Sequence, residues 1–286
     1  MSGETTDNGQ PGGLLMVGCG NMGYALLTGW INAGCLAPRD VVVVEPSDAL
    51  RARVDALGCR TVSSADALPA DIPRYVVLAV KPQIIGRVAA DYRRFGGGDT
   101  VFISIAAGTT LQQLLLLLSS RTPVIRCVPN TPAAVGDGLV LACANAFVSA
   151  AMRAETNALF AANGQVVAID DETLLDAATA ISGSGPAYVY SMIEALAAAG
   201  ETIGLPQKLA RQMSLQTFLG ASSLAAKTGE EIATLRAQVV SPNGTTAAAL
   251  AVMNGDGQLT RLFQDSVTAA FDRAKELASE SAEAKA

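Results

Sequence analysis

The chain has 286 residues, of which 50% are hydrophobic and 16% are charged, and its formal net charge at pH 7 is -6. This length predicts about two domains, and the apolar content is enough for a large core and argues against disorder. The acidic balance argues against a nucleic-acid partner, and the absence of histidine excludes a Ser-His-Asp triad, a Cys-His dyad and a His-ligated metal, so no metal site is predicted.

The N-terminal segment, residues 1–13, is polar and rich in glycine. It has neither the basic nor the apolar region of a signal peptide, so we expect a disordered tail. No apolar run reaches the roughly 18 residues of a membrane span, so no membrane association is expected. The five cysteines are odd in number and show no C-x-x-C spacing, which predicts reduced thiols and a cytoplasmic location.

Short apolar runs rich in β-branched residues alternate with Ala- and Leu-rich stretches from residue 14 to about residue 170. This alternation predicts a Rossmann-like α/β domain, in which a doubly wound parallel sheet is covered by crossover helices on both faces. The predicted strands are Leu14–Val17, Val41–Glu45, Tyr75–Val80, Val101–Ile105, Val124–Cys127, Leu139–Cys143 and Val166–Ile169. The predicted helices between them include Met22–Ala33 and Asp48–Leu57.

A G-x-G-x-x-G motif directly follows the first predicted strand and opens a helix. Gly18 permits the tight turn, Gly20 lets the backbone approach a pyrophosphate, and Gly23 lets the helix pack on the strand. Asn21 and Met22 lie at the helix start, where free N–H groups and the helix dipole attract phosphate. The motif therefore predicts a dinucleotide site, and a tight turn without a ligand is the alternative.

The second predicted strand ends at Glu45, at the spacing where an acidic residue meets the adenosine ribose. A carboxylate there would bind the ribose hydroxyls of NADH and repel the 2′-phosphate of NADPH. Arg51, Arg53 and the hydroxyl of Ser47 follow within two helical turns and could offset that repulsion, or the arginines are solvated surface. Both NADPH and NADH therefore remain possible cofactors.

Ligands of an open α/β sheet bind outside the carboxyl ends of the strands. Three later strands end in loops of small residues and prolines, which suit a nicotinamide and its ribose. Lys81 is suited to a ribose or phosphate oxygen, or else it extends from a strand edge into solvent, and Asn130 faces the cofactor or caps a turn. The loop residues assigned to the cofactor are Ala79, Val80, Lys81, Pro82, Ala106, Ala107, Gly108 and Asn130.

After about residue 170 the strand-like runs stop and helix formers dominate, so the second domain, residues 171–286, is predicted to be all-helical. Helices are expected from Pro186 to Ala199, from Pro206 to about Lys227, over Ala233–Val239 and from near Thr246. The clearest helix is the last one, because its apolar face recurs at helical spacing. That face comprises Leu259, Leu262, Phe263, Ser266, Ala270, Phe271, Ala274 and Leu277.

Two motifs in the helical part stand out. The first, S-G-S-G-P-A-Y from Ser182 to Tyr188, precedes a helix. The second, S-P-N-G-T-T from Ser241 to Thr246, lies between two predicted helices. Its hydroxyls and free N–H groups would make a nest for a carboxylate, or it is an ordinary helix-capping loop.

Together these motifs resemble those of the pyrroline-5-carboxylate reductases. The matching segments spread from Gly18 to Thr246 in the family's order: V-G-C-G-N-M-G, A-V-K-P, A-A-G-T-T, R-C-V-P-N-T-P, D-A-A-T-A-I-S-G-S-G-P-A-Y and S-P-N-G-T-T. The segments S-G-S-G-P-A-Y and R-C-x-x-N-T-P are much more specific than the dinucleotide motif alone.

The resemblance implies that the α/β part predicted over residues 14–170 is a Rossmann-like domain. It also implies that the helical part, residues 171–286, serves dimerisation and substrate binding. It implies NAD(P)H-dependent reduction of the cyclic imine 1-pyrroline-5-carboxylate to L-proline, the last step of proline biosynthesis. It also implies a homodimer with interleaved helices, in which the second chain contributes to each site and which can assemble into a decamer. The residues it places at the substrate are Glu172, Ser241, Thr245 and Thr246.

An iminium accepts hydride better than a neutral imine, so the reaction needs a hydrogen-bond or proton donor at the imine nitrogen. We expect the hydroxyl of Thr246 to be that donor, with Ser241 as its partner in catalysis. N–H groups from Gly244 to Thr246 would hold the substrate carboxylate. This chemistry needs no histidine, in agreement with the composition.

The chain departs from the family pattern at three positions. Asn243 replaces a glycine, and the loop is expected to survive because asparagine tolerates left-handed backbone geometry. Ala237 replaces an aspartate, whose contact Gln238 would partly replace. Glu45 replaces a small hydroxyl residue that receives the 2′-phosphate in many relatives.

The sequence is also compatible with two other functions. A β-hydroxyacid dehydrogenase or a general imine reductase would share the first motif, but such enzymes use a catalytic Lys or Asp on the interdomain helix, which the S-G-S-G-P-A-Y segment does not supply. A catalytically silent nucleotide-binding module would keep the fold without turnover. The absence of the aspartate at Ala237 keeps that second alternative open.

Overall fold

The computed structural model describes residues 13–68 and 72–283, with side chains up to residue 276. It divides into two compact units, one containing the chain up to Gly183 and again from Phe271, the other being Ser184–Ala270. Except for Gly13, the predicted disordered tail lies outside the described residues.

The first unit is built on an eight-stranded sheet with the order β3-β2-β1-β4-β5-β6-β7-β8. Its central strands are short, mainly apolar and largely buried on both faces, as a sheet between two helical layers requires. The chain order reverses between β1 and β4, which places the topological switch point at the end of β1. The strands are β1 Leu14–Val17, β2 Val41–Val44, β3 Arg60–Val62, β4 Tyr75–Leu78, β5 Val101–Ser104, β6 Val124–Pro129, β7 Gly138–Ala144 and β8 Gly164–Ala168.

The doubly wound α/β fold is confirmed, and all seven predicted strands are present. Two details differ from the prediction. β7 pairs antiparallel with β6, so the sheet is not wholly parallel. β3, which pairs with β2 at the edge, was not predicted, because a three-residue strand with an exposed arginine has no apolar run.

Helices cover both faces of the sheet. They are α1 Asn21–Asn32, α2 Asp48–Asp55, α3 Pro82–Asp91, α4 Leu111–Leu117, α5 Ala150–Ala161 and α6 Leu175–Ser182. One core packs α1 and α5 on the sheet, with the rings of Trp30 and Phe160 edge to face at a centroid distance of 5.3 Å. The other core packs α3, α4 and α6, with Ile85, Leu114 and Leu175 fully buried.

The second unit is helical. It contains α7 Gly185–Thr202, α8 Gln207–Thr228, α9 Ile232–Gln238 and α10 Thr245–Asn254, and α11 Gln258–Glu283 begins in it. The predicted face of α11 is confirmed in part: Phe263, Ser266 and Ala270 are half-buried, but Leu262 is exposed. Large apolar side chains of α7 and α8 are also exposed in the single chain, among them Tyr190, Leu215 and Leu219. Such a surface is typical of a protein–protein interface.

None of the helices in residues 13–68 and 72–283 has the length and apolar character needed to cross a bilayer.

The cysteines give a first testable prediction. All five are free, and only Cys35 is exposed. Burial raises the pKa of the Cys19 thiol to about 12, with Glu45 contributing, and burial likewise raises the pKa of Cys59, Cys127 and Cys143. Because the thiolate is the reactive form, a thiol reagent at pH 8 is expected to modify Cys35 alone in the folded protein, as intact mass spectrometry would measure.

Denaturant supplies the control for that experiment, because all five thiols should react once the chain unfolds. Rapid modification of Cys19 in the folded protein would contradict the prediction.

Candidate functional site

The glycine motif forms the turn that the sequence predicts, between β1 and α1. Gly18 has a positive φ of 79°, and a Cβ there would lie 2.8 Å from the Val80 side chain and 2.9 Å from the carbonyl oxygen of Ala79. Gly23 packs at the same point, where a Cβ would be 3.2 Å from that of Ala79. By contrast, a Cβ on Gly20 would meet nothing within 4 Å. The space over Gly20, at the N-terminus of the 12-residue helix α1, fits the pyrophosphate of a dinucleotide.

Glu45 follows β2 and lies against this turn. Its carboxylate accepts hydrogen bonds from the backbone N–H of Cys19 at 2.9 Å and of Ser47 at 3.0 Å, and the residue is only 7% exposed. The carboxylate therefore organises the glycine turn directly. Its position at the end of β2, in contact with the motif, fits the ribose-binding role predicted for it.

The basic residues after Glu45 are engaged with the chain itself. Arg51 donates to the carbonyl oxygens of Glu45 and Pro46 and forms an ion pair with Asp48. The guanidinium of Arg53 lies over the ring of Tyr24, 4.1 Å from its centroid. These contacts hold Arg51 beside the exposed N-terminus of α2, whereas Arg53 lies in the last turn of that helix.

The hydroxyl of Ser47, the N-cap residue of α2, caps none of its N–H groups. A phosphate beside the ribose would thus meet Ser47 and the guanidinium of Arg51 as well as the Glu45 carboxylate.

Two further predicted loops lie at the carboxyl ends of neighbouring strands. Ala79 and Val80 follow β4 beside the glycine turn, where the N–H of Ala79 donates to the carbonyl oxygen of Val17. Lys81 is exposed at the N-cap of α3, and Pro82 starts that helix.

The loop after β5 contains the other three assigned residues. Ala106 is buried and Ala107 is exposed, while Gly108 turns the chain with a positive φ of 69°. In the sheet, β4 lies next to β1, and β5 lies next to β4. The glycine turn and the two loops therefore follow one another along the carboxyl edge of the sheet.

Asn130 uses its side chain within the protein. The amide oxygen accepts from the N–H of Leu139 at 2.8 Å, and the amide nitrogen donates to the carbonyl oxygen of Ser182 at 3.0 Å. The residue thus fixes the end of β6 to β7 and to the C-terminus of α6. These bonds correspond to the turn-capping alternative. The backbone of Asn130 is engaged as well, because its N–H donates to the carbonyl oxygen of Leu139 and its carbonyl oxygen accepts from the N–H of Ala133.

Glu172 forms an ion pair with Arg126. One carboxylate oxygen accepts from Arg126 at 2.9 Å and from the backbone N–H of Leu111 at 2.8 Å. Arg126 also donates to Asp176 at 3.2 Å and is only 3% exposed. Neither Arg126 nor Asp176 was assigned a role from the sequence, although an arginine inside the apolar strand β6 is a signal that such a charge has a partner.

The S-P-N-G-T-T segment forms a tight turn that leads into α10. The N–H of Gly244 donates to the carbonyl oxygen of Ser241, and a side chain at Gly244 would collide with the Ser241 hydroxyl. Asn243 adopts a φ of 57°, which confirms that asparagine can replace glycine in this turn. Thr245 and Thr246 begin α10, whose first N–H groups have no acceptor within the helix. The turn thus offers N–H groups and hydroxyls to an anion.

Gln238 precedes this turn at the end of α9. It is exposed, and its amide donates to Glu230 at 2.9 Å. The neighbouring Ala237 is exposed as well, so the position where the family pattern has an aspartate presents no carboxylate of its own.

Within the part of the chain that the structure describes, no group of three or more Cys, Asp and Glu residues could hold a metal ion. The first unit contains the glycine turn with its adjacent strand-end loops, and the second unit contains the turn that offers N–H groups and hydroxyls at the start of α10.

Comparison with known proteins gives consistent matches over both units. A family model described as "Pyrroline-5-carboxylate reductase dimerisation" matches residues 172–277, and one described as "NADP oxidoreductase coenzyme F420-dependent" matches residues 13–108. The pyrroline-5-carboxylate reductase of Synechocystis is 39% identical over 92% of this chain and 97% of its own length. That of Escherichia coli is 36% identical over 84% of this chain and 89% of its own.

Solved structures agree with these relatives. A pyrroline-5-carboxylate reductase from Coxiella burnetii superposes with a TM-score of 0.87 at 33% identity, over 94% of this chain and 99% of the other. A pyrroline carboxylate reductase from Plasmodium falciparum with NADP bound superposes with a TM-score of 0.82 at 31% identity, over 93% and 98%. The similarity therefore extends through both compact units.

Proposed function

The chain belongs to the pyrroline-5-carboxylate reductase family, and we infer that it performs this family's reaction, the NAD(P)H-dependent reduction of 1-pyrroline-5-carboxylate to L-proline. It is an oxidoreductase that acts on a C=N bond, and its product makes it an enzyme of proline biosynthesis. The observation that carries this inference is the 39% identity to the pyrroline-5-carboxylate reductase of Synechocystis over 92% of this chain.

The first unit supplies the cofactor residues in this proposal. We assign residues 14–170 to the dinucleotide and residues 171–286 to dimerisation and substrate binding. Gly20 and the start of α1 would hold the pyrophosphate, Glu45 and Ser47 the ribose, and the loops at Lys81 and Ala106–Gly108 the nicotinamide half. Support comes from the open space over Gly20 and from the position of all these residues at the carboxyl ends of the strands.

The S-P-N-G-T-T turn supplies the substrate residues. When bound, NAD(P)H supplies the hydride that adds to the imine carbon, while the nitrogen gains a proton. The N–H groups of Thr245 and Thr246 would bind the substrate carboxylate and fix the ring. The Thr246 hydroxyl would donate to the imine nitrogen, because protonation or hydrogen bonding there makes the carbon more electrophilic. The half-buried position of Thr246 supports this role, since a partly desolvated donor interacts more strongly.

Homo-oligomerisation follows from the dimerisation segment, residues 172–277. We propose that the exposed apolar side chains of α7 and α8, including Tyr190 and Leu215, are covered in a homodimer, and that dimers assemble into a decamer. We also propose a cytoplasmic location, which the five free cysteines support.

A spectrophotometric assay tests the function. Oxidation of NADPH or NADH is measured with 1-pyrroline-5-carboxylate, and in parallel the reduction of NADP+ or NAD+ is measured with a β-hydroxyacid. Turnover of the imine alone is expected. Turnover of the hydroxyacid would favour a β-hydroxyacid dehydrogenase, and cofactor binding without any turnover would favour a silent nucleotide-binding module.

Cofactor preference gives the next prediction. Glu45→Ser removes the charge that would repel a 2′-phosphate, so kcat/KM for NADPH relative to NADH is expected to rise about tenfold. Because Glu45 also accepts from Cys19 and Ser47, the KM for both cofactors should rise as the turn loosens. The measurement is the ratio of kcat/KM for the two cofactors.

Glu45→Gln is the matched variant, since it keeps the shape and one acceptor oxygen but lacks the charge. It should shift the ratio in the same direction with a smaller rise in KM. An unchanged ratio in both variants would mean that Glu45 does not face the ribose.

A further inference from the structure

The resemblance assigns Glu172 to the substrate region, but its observed contacts point elsewhere. Its carboxylate is bonded to Arg126 and to the N–H of Leu111, the first residue of α4. The chain runs from the Ala106–Gly108 loop directly to Leu111 at the start of α4. Glu172 is 61 residues away in sequence from the N–H group that it binds, so the contact joins separate parts of the fold.

Two sets of hydrogen bonds hold the start of α4. Thr110 and Gln113 form a capping box, in which each side chain accepts from the backbone of the other residue. The N–H of Leu111 lies outside that box, and Glu172 satisfies it. A carboxylate at a helix start also interacts favourably with the helix dipole. Glu172 therefore supplies one of the hydrogen bonds that hold the start of α4, directly after the loop.

Arg126 holds that carboxylate in place. It extends from β6, where its register neighbours are Ser104 of β5 and Cys143 of β7. One end of its guanidinium binds Glu172 and the other binds Asp176, one helical turn further along the chain. Its Nε is buried without a partner within residues 13–68 and 72–283, so the cation relies on these two carboxylates. Asp176 shares Arg126 with Glu172 and makes no bond to Leu111.

We propose that Glu172 is a positioning residue for the cofactor: supported by Arg126, it fixes the N-terminus of α4 and thereby the Ala106–Gly108 loop that contacts the nicotinamide half. This rests on the proposed function, which places NAD(P)H at that loop. The alternative role for Glu172, direct contact with the cyclic imine, predicts a different kinetic pattern.

Equilibrium binding and kinetics separate the two roles. Glu172→Ala is expected to raise the Kd of NADPH, measured by fluorescence titration without substrate, about tenfold. The KM of the imine at saturating NADPH should stay within about twofold of wild type. Glu172→Gln restores an oxygen acceptor for Leu111 and should recover most of the affinity. Asp176→Ala is the matched control, and its Kd should stay within about threefold of wild type.

Hydrogen exchange of the protein without cofactor gives a readout that does not depend on activity. Exchange in the peptide spanning residues 105–114 should rise in Glu172→Ala and stay at the wild-type level in Asp176→Ala. If Glu172→Ala does not fold, the same exchange measurement is made on Glu172→Asp. This variant keeps the charge beside Arg126, but its side chain is too short to reach Leu111 as well.

Several outcomes would overturn the proposal. A higher KM for the imine with an unchanged Kd for NADPH would place Glu172 at the substrate. Equal effects of Glu172→Ala and Asp176→Ala on Kd and exchange would show that only the charge balance of Arg126 matters. Failure of the wild-type chain to bind NADPH would overturn the proposed function instead, and the exchange data would still report whether Glu172 orders the loop.

Discussion

Replacing Thr246 with alanine is expected to lower kcat for the reduction of the cyclic imine about 100-fold. The substitution removes the hydroxyl that would donate to the imine nitrogen. Within the described residues, this hydroxyl has no hydrogen-bond partner that the mutation would orphan, and Thr246 is only half-buried. The free energy of unfolding should therefore change by less than about 1 kcal/mol. Steady-state kinetics and urea denaturation measure the two quantities.

Two further variants at Thr246 separate the hydroxyl from the shape of the side chain. Thr246→Ser keeps the hydroxyl and should retain most of the activity. Thr246→Val keeps the branched shape without the donor and should be as slow as the alanine variant. Wild-type kcat in both Thr246→Ala and Thr246→Val would remove Thr246 from the mechanism.

The parts of the fold that depend on local sequence were predictable. The motif from Gly18 to Gly23 requires a specific turn between a strand and a helix, and the structure has that turn with Gly18 at positive φ. The S-P-N-G-T-T turn before α10 was predictable for the same reason, because Asn243 can take the left-handed conformation that a glycine normally supplies. In both places the allowed backbone geometry of single residues determines the structure.

Features that depend on pairing across the chain were not predictable. The direction of β7 depends on its partner β6, and an apolar run has the same composition in either direction. The bond from Glu172 to Leu111 joins residues 61 positions apart, and no local pattern encodes it. Glu45 was located by its spacing, yet its bond to the N–H of Cys19 depends on how β1 and β2 pair.

Gly20→Ala is expected to weaken NADPH binding at least tenfold while leaving the fold intact. Gly20 has a φ of -65°, and a Cβ there would meet no protein atom within 4 Å. The new methyl group would instead occupy the space that the pyrophosphate needs. At an NADPH concentration 100 times the wild-type Kd, stabilisation by the cofactor should fall from about 2.7 to about 1.4 kcal/mol. Thermal denaturation with and without NADPH measures this loss.

Two glycines show whether the effect is specific to the ligand. Gly98 also has open space where a Cβ would be, but it lies outside the predicted cofactor loops, so Gly98→Ala should bind NADPH like wild type. Gly18→Ala should lose stability without cofactor as well, because its positive φ and its contact with Ala79 make any Cβ unfavourable. If Gly20→Ala bound NADPH with wild-type affinity, the pyrophosphate could not lie over Gly20. The cofactor assignment in the first unit would then have to be abandoned, because the open space above that glycine is its main physical support.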